Sequence, residues 1–128
     1  MTFDETNLVG NVYFAHFLHW QGHCRERFLA DHAPRVVKAL QGGELGLVTV
    51  SCTMDYFAEC FALDVVDVQM TMRSSGSHRV EMNFRFCRDG MTVAAGRQTV
   101  ACLGRDRQPP SPVPLPPELL RAAEMFPI

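Results

Sequence analysis

The chain has 128 residues, 47% of them hydrophobic, which is enough for one domain with a sizeable core and too few for two. Twelve basic against 14 acidic residues give a formal charge of -2, so the chain lacks the basic footprint that engages phosphates, and nucleic acid is not an expected partner. No apolar run approaches the roughly 20 residues that span a bilayer, and the N-terminus lacks a secretory pattern, so a cytoplasmic address is the default and no membrane partner is expected.

In chain order, Val12 to Leu29 places Ala15, Phe17, Leu18, Trp20, Cys24 and Phe28 at helical spacings without an internal proline, which predicts a long amphipathic core helix. Pro34 suits the first turn of a shorter helix reaching about Leu40, stopped by Gln41-Gly42-Gly43. The period then changes to two. Leu45 to Phe57 is rich in β-branched and aromatic residues, and Val66, Val68, Met70 and Met72 alternate with polar neighbours. Ser74 to Ser77 is a turn, followed by Val80, Met82, Phe84 and Phe86 on one face of the next strand. Asp89-Gly90 signals a two-residue hairpin into a strand from Met91 to Leu103, in which Gly96 marks a bulge or a close approach. The proline-rich run Pro109 to Pro117 cannot supply ladder hydrogen bonds and is expected as a surface segment before a terminal helix, Glu118 to Met125. There are no internal repeats. The prediction is a single α+β domain over residues 1–128, an antiparallel sheet wrapped around one long helix.

The five cysteines are odd in number and never form a CxxC pair, so reduced, mostly buried thiols are expected. Cys24, beside Arg25, is the candidate for a reactive thiolate, against packing as the commoner role. His16, His19 and His23 share a helix face at a spacing that could present imidazoles to a metal, but no acidic or cysteine partner clusters with them in sequence.

The segment Asp4-Glu5-Thr6-Asn7-Leu8-Val9-Gly10-Asn11-Val12-Tyr13-Phe14, continuing through Phe17-Leu18-His19-Trp20-Gln21 to Arg25, resembles the opening signature of hotdog-fold acyl thioesterases. The wording TNLVGNVYF and WQGHCRERFL, with LVTVSCTMDYFAE and QTVACL later, is similar to the thioesterases of enediyne biosynthesis, which act with an iterative polyketide synthase. Those proteins begin their first strand several residues before the position of Phe3, so that strand reads as truncated here. The resemblance implies hydrolysis of a β-ketoacyl polyene thioester from an acyl carrier domain, without metal or cofactor, by a homotetramer built as a dimer of dimers. In that group the released β-keto acid can lose carbon dioxide to give a methyl ketone. A general acyl-CoA thioesterase of the same fold and a non-catalytic acyl-binding partner of the synthase are the alternatives. The dehydratase motif with His, Pro and Gly in close succession is absent, which disfavours dehydration.

Thioester hydrolysis needs a positioned water and donors for the developing oxyanion. The unpaired amides and positive end of a helix N-terminus near Gly10, Asn11 and Val12 can supply those donors, with Gly10 allowing close approach. Many hotdog thioesterases carry an Asp where this chain has Asn7, and the enediyne group resembles it in having Asn; the amide can orient water or hold the carbonyl. Arg25 lies at the family position of an arginine whose charged fork could stabilise the oxyanion or hold a carboxylate. A turn-forming Asn7 and a solvated Arg25 are the structural alternatives. Asp4, Glu5 and Glu59 are the carboxylates nearest the motif segments and could serve as general base if burial raised their pKa, against a surface charge as the commoner role; Glu59 is the best placed, following Tyr56-Phe57-Ala58. Tyr13 is read as a pocket residue; Phe14, Phe17, Trp20, Val50 and Tyr56 could line an acyl tunnel or simply form core.

Overall fold

Helix α1, Ala15–His32, ends where the sequence dictates, because Pro34 disfavours helical geometry at the residue before it and Ala33 leaves the helix at φ -143°. The structure is a computed structural model that describes residues 15–61, 63–106 and 108–128. Helix α2, Pro34–Gln41, starts on that proline, and its first turn is capped from far away: Val36 N donates to Glu118 Oε1 at 3.0 Å. Five strands follow, β1 Leu45–Tyr56, β2 Asp67–Ser74, β3 Arg79–Arg88, β4 Met91–Gly104 and β5 Ser111–Pro112, and then helix α3, Pro117–Met125.

The sheet is antiparallel in the order β1-β4-β3-β2, with β5 beside the end of β4. The β3–β4 hairpin turns on Asp89 and Gly90, both at positive φ, 51° and 77°, as a two-residue turn matching the strand twist requires. Alternation along β2, β3 and β4 puts Met70, Met72, Val80, Met82, Phe84, Phe86, Ala94 and Val100 on one face, where they form the core beneath α1. The opposite face carries Gln69, Thr71, Asn83, Arg85 and Arg97.

Two features depart from the sequence-based expectation, and a third resolves the alternative at Gly96. Leu18 is exposed, and the α1 position that is fully buried instead is Gln21, because the helix crosses the sheet with Phe17, Gln21 and Phe28 downward. The proline-rich run is no mere surface segment: β5 pairs with Leu103 and Gly104, Val113 N donates to Cys102 O, Leu115 N donates to Ser77 O, and Leu115 is buried. Its prolines alternate with Ser111, Val113 and Leu115, which keep the N–H groups that proline lacks. Gly96 is a close approach and not a bulge; the register shifts lie at Val50 on β1, between Thr49 and Ser51, and at Val93 on β4, opposite Phe86 and Cys87. The expected truncated first strand falls outside the described residues.

Candidate active site

The inner face of β4 is small or apolar at Ala94, Gly96, Val100 and Cys102, and polar only at Gln98. Over this face run Gln21 and Arg25, one helical turn apart on α1. Arg25 Nη1 donates to Gln98 Oε1 at 3.0 Å and lies 3.4 Å from Thr49 Oγ1 on β1. Gln21 Nε2 contacts Cys52 Sγ at 3.6 Å, while its buried Oε1 has no hydrogen-bond partner among the described residues. A Cβ on Gly96 would overlap that oxygen, so glycine is what lets the helix settle this close to the sheet.

The partners of Arg25 are neutral. Arg27, Arg73, Arg88 and Arg97 each face a carboxylate, from Asp31, Glu81, Asp64 and Glu81 respectively, whereas Arg25, like Arg85 on Thr92 Oγ1, has neutral side-chain acceptors and no carboxylate partner among the described residues. Among the described residues its guanidinium is therefore held in place without being neutralised, an arrangement able to receive a negative charge.

Glu59 is exposed and sits in the β1–β2 connection, where Arg88 Nη1 donates to its backbone carbonyl and to Asp64 Oδ2. Thr49, which touches Arg25, and Tyr56, three residues before Glu59, lie roughly 20 Å apart along β1 at about 3.3 Å per residue. Asn7, Gly10, Asn11, Val12, Tyr13 and Phe14 lie outside the described residues. Arg25 is ten residues along α1 from Ala15, a rise of about 15 Å, so it is not itself at the start of the described helix.

Phe17 is core, in an aromatic cluster with Trp20, Tyr56 and Phe86 at ring separations of 5.1, 5.2 and 5.4 Å. Tyr56 and Val50 are exposed on β1. Cys24 points away from Arg25: its thiol donates to Val68 O at 3.8 Å and burial pushes its pKa up, so the protonated form is favoured and neighbouring in sequence has not made it a thiolate. The His19 and His23 rings meet at 4.2 Å with their planes tilted by 57°, and no three His, Cys, Asp or Glu side chains converge as metal ligands among the described residues.

A groove of about 910 Å³ flanks α1 on its β2 side, between Trp20, Phe28 and His32 on one wall and Val66, Met70 and Phe126 on the other. Neither Arg25 nor Glu59 lines it. Arg25, held by the neutral Gln98 and Thr49, lies instead on the β1 side of α1. Sequence reasoning missed Gln98, Thr49 and Gln21. Counting back by twos from Val100 and Cys102 places Gln98 on the apolar face, and that polar intruder was the available signal.

A family model described as the thioesterase-like superfamily matches residues 1–123. Among solved structures, the dynemicin thioesterase, whose crystal structures reveal induced-fit and allosteric effects upon polyene binding, is 54% identical, with a TM-score of 0.91 over 98% of this chain and 92% of that one. A gentisyl-coenzyme A thioesterase is 18% identical over 96% of this chain and 94% of its own, with a TM-score of 0.81. A 1,4-dihydroxy-2-naphthoyl-CoA thioesterase from Synechocystis is 21% identical over 96% and 90%, with a TM-score of 0.83. These two share the fold. No curated protein matches the chain.

Proposed function

Because the chain belongs to the thioesterase-like superfamily and is a thioester hydrolase of hotdog fold, we propose that its substrate is a β-ketoacyl polyene carried as a thioester on the acyl carrier domain of an iterative enediyne polyketide synthase. The observation that carries the reading of the site is Arg25, held by Gln98 and Thr49 with no carboxylate partner among the described residues. The reading of the substrate is supported by the 54% identity to a thioesterase that binds a polyene.

In the proposed reaction, water oxygen adds to the thioester carbonyl carbon, and the resulting oxyanion is met by backbone amides at Gly10, Asn11 and Val12. Asn7 orients the water or the carbonyl, and Tyr13 lines the acyl pocket. Collapse re-forms the carbonyl, breaks the C–S bond and gives a β-keto acid and the carrier thiol, which takes up the proton released by water. Arg25 holds negative charge on the substrate or its transition state. Glu59 of the protomer that supplies Arg25 is given no step in this scheme.

The site is proposed to be shared between two copies. Residues 49 to 53 of β1 are exposed, including the inward-facing Thr49 and Cys52, and Val50 and Phe57 are 47% and 62% exposed. A strand edge of this length that no described strand pairs, with apolar neighbours, calls for pairing, and β1 of a second copy is the proposed occupant, with a dimer of dimers as the assembled form. No described helix is long and apolar enough to cross a membrane.

The test is to present polyene-loaded carrier domain and acyl-CoA side by side and to assay released polyene on co-expression with a cognate synthase. Faster turnover of the carrier-bound polyene is expected. A preference for short acyl-CoA points instead to a general thioesterase, and no release by the wild type to an acyl-binding partner.

A further inference from the structure

Arg25 reaches the sheet between two strands, and each strand departs from its own pattern to meet it. On β4 the departure is Gln98, only 8% exposed, at a position whose same-face neighbours are Gly96 and Val100. Burying an amide there is unfavourable unless its polar atoms are used, and its oxygen accepts from Arg25. On β1 the departure is the register shift between Thr49 and Ser51. Strand side chains alternate faces, so Thr49 and Cys52, three residues apart, would point oppositely in a regular strand. With one extra residue between them, both face α1: Thr49 pairs with Val100 and touches Arg25, and Cys52 pairs with Gln98 and touches Gln21. Bulges re-aim side chains in this way beside active sites.

We propose that Gln98, together with the Thr49 that the β1 bulge turns inward, is a positioning residue that fixes Arg25 while leaving its positive charge uncompensated for a negatively charged atom of the substrate or transition state. This rests on the role given to Arg25 above. A carboxylate at position 98 would hold the guanidinium equally well in space and cancel the charge that the site uses. The neutral amide is therefore the functional choice, and a glutamate there separates holding from charge.

The experiment uses the full chain and a β-ketoacyl N-acetylcysteamine thioester, reading kcat, KM and thermal unfolding. Arg25→Ala is expected to lose about 10²- to 10³-fold in kcat. Gln98→Glu is expected to unfold no earlier than wild type yet to lose about 10- to 100-fold in kcat, with KM moving less. Its kcat should recover as pH falls and the new carboxyl is protonated, a limb that wild type lacks. The Arg25→Ala/Gln98→Glu double variant should be no slower than Arg25→Ala alone. Gln98→Met, of similar volume, should lose activity without the pH recovery, and it carries the test if Gln98→Glu does not fold. Wild-type kcat in Gln98→Glu or Gln98→Met, or losses that multiply with that of Arg25→Ala, overturns the positioning role alone. Wild-type kcat in Arg25→Ala overturns the role of Arg25 and this inference with it.

Discussion

Gln21 of α1 lies so close over Gly96 of β4 that a Cβ on the glycine would overlap the Gln21 side-chain oxygen. A glycine inside a strand ordinarily weakens it, so Gly96→Ala on an open sheet face would stabilise. Here the methyl must displace either a fully buried amide or the helix that carries it. Gly96→Ala is expected to lose about 1–3 kcal/mol of stability. Adding Gln21→Ala removes the obstacle, so the double variant should be less destabilised than the sum of the singles in urea unfolding. An equal or higher midpoint for Gly96→Ala would show that the helix yields freely.

The exposed Cys52 sits at the middle of the β1 edge that no described strand pairs, facing α1. If two copies pair through β1, Cys52 is covered in the dimer. Maleimide labelling of this thiol should then be slow at high protein concentration and speed up as dilution separates the copies, and Cys52→Ser should remove that concentration-dependent phase. A rate independent of concentration, in a sample that light scattering finds dimeric, would place the interface elsewhere.

Buried thiols give a pH signature at the alkaline end. Desolvation raises the Cys102 pKa from 9.0 to about 11, because the thiolate has no compensating partner in the core. The unfolded chain gives up this proton first, so above pH 9.0 the unfolded state binds fewer protons and stability falls with rising pH, levelling only beyond about 11. Below pH 9.0 the thiol is protonated in both states and contributes no slope. Cys102→Ala is expected to start less stable because of the cavity it leaves, but to lose less of its stability between those two pH values. Parallel slopes in the two proteins would rule Cys102 out as the source.

What is legible in the sequence is what a local signal encodes. The Asp89-Gly90 turn and the alternation of Val80, Met82, Phe84 and Phe86 need only adjacent residues, and both stand in the structure as the pattern implied. The burial of Gln21 in place of Leu18 did not follow, since helical spacing defines an apolar stripe but not the angle at which α1 crosses the sheet. The pairing of Ser111 to Leu115 was hidden by the prolines between them. Arg25 was singled out by family resemblance, yet what distinguishes it physically are acceptors 24 and 73 residues away, contacts that no local pattern encodes.

The C-terminal tail closes the edge of β2 that β3 leaves open. Met72 N donates to Phe126 O at 2.8 Å and Ile128 N donates to Met72 O at 3.3 Å, so both backbone groups of one edge residue are used. Above them the Phe126 ring meets Phe28 at 5.3 Å and His32 at 4.6 Å, tying the end of α1 to the sheet. Side chain and backbone therefore make separable contributions. Phe126→Ala, which removes a half-buried ring, is expected to cost about 1–3 kcal/mol while leaving the Met72 amide protected from hydrogen exchange. Deleting residues 126–128 should cost more and also release that amide to exchange, because no other described segment bonds to it on that side. If Phe126→Ala alone freed the Met72 amide, the tail would be held by its ring and the backbone bonds would be its consequence.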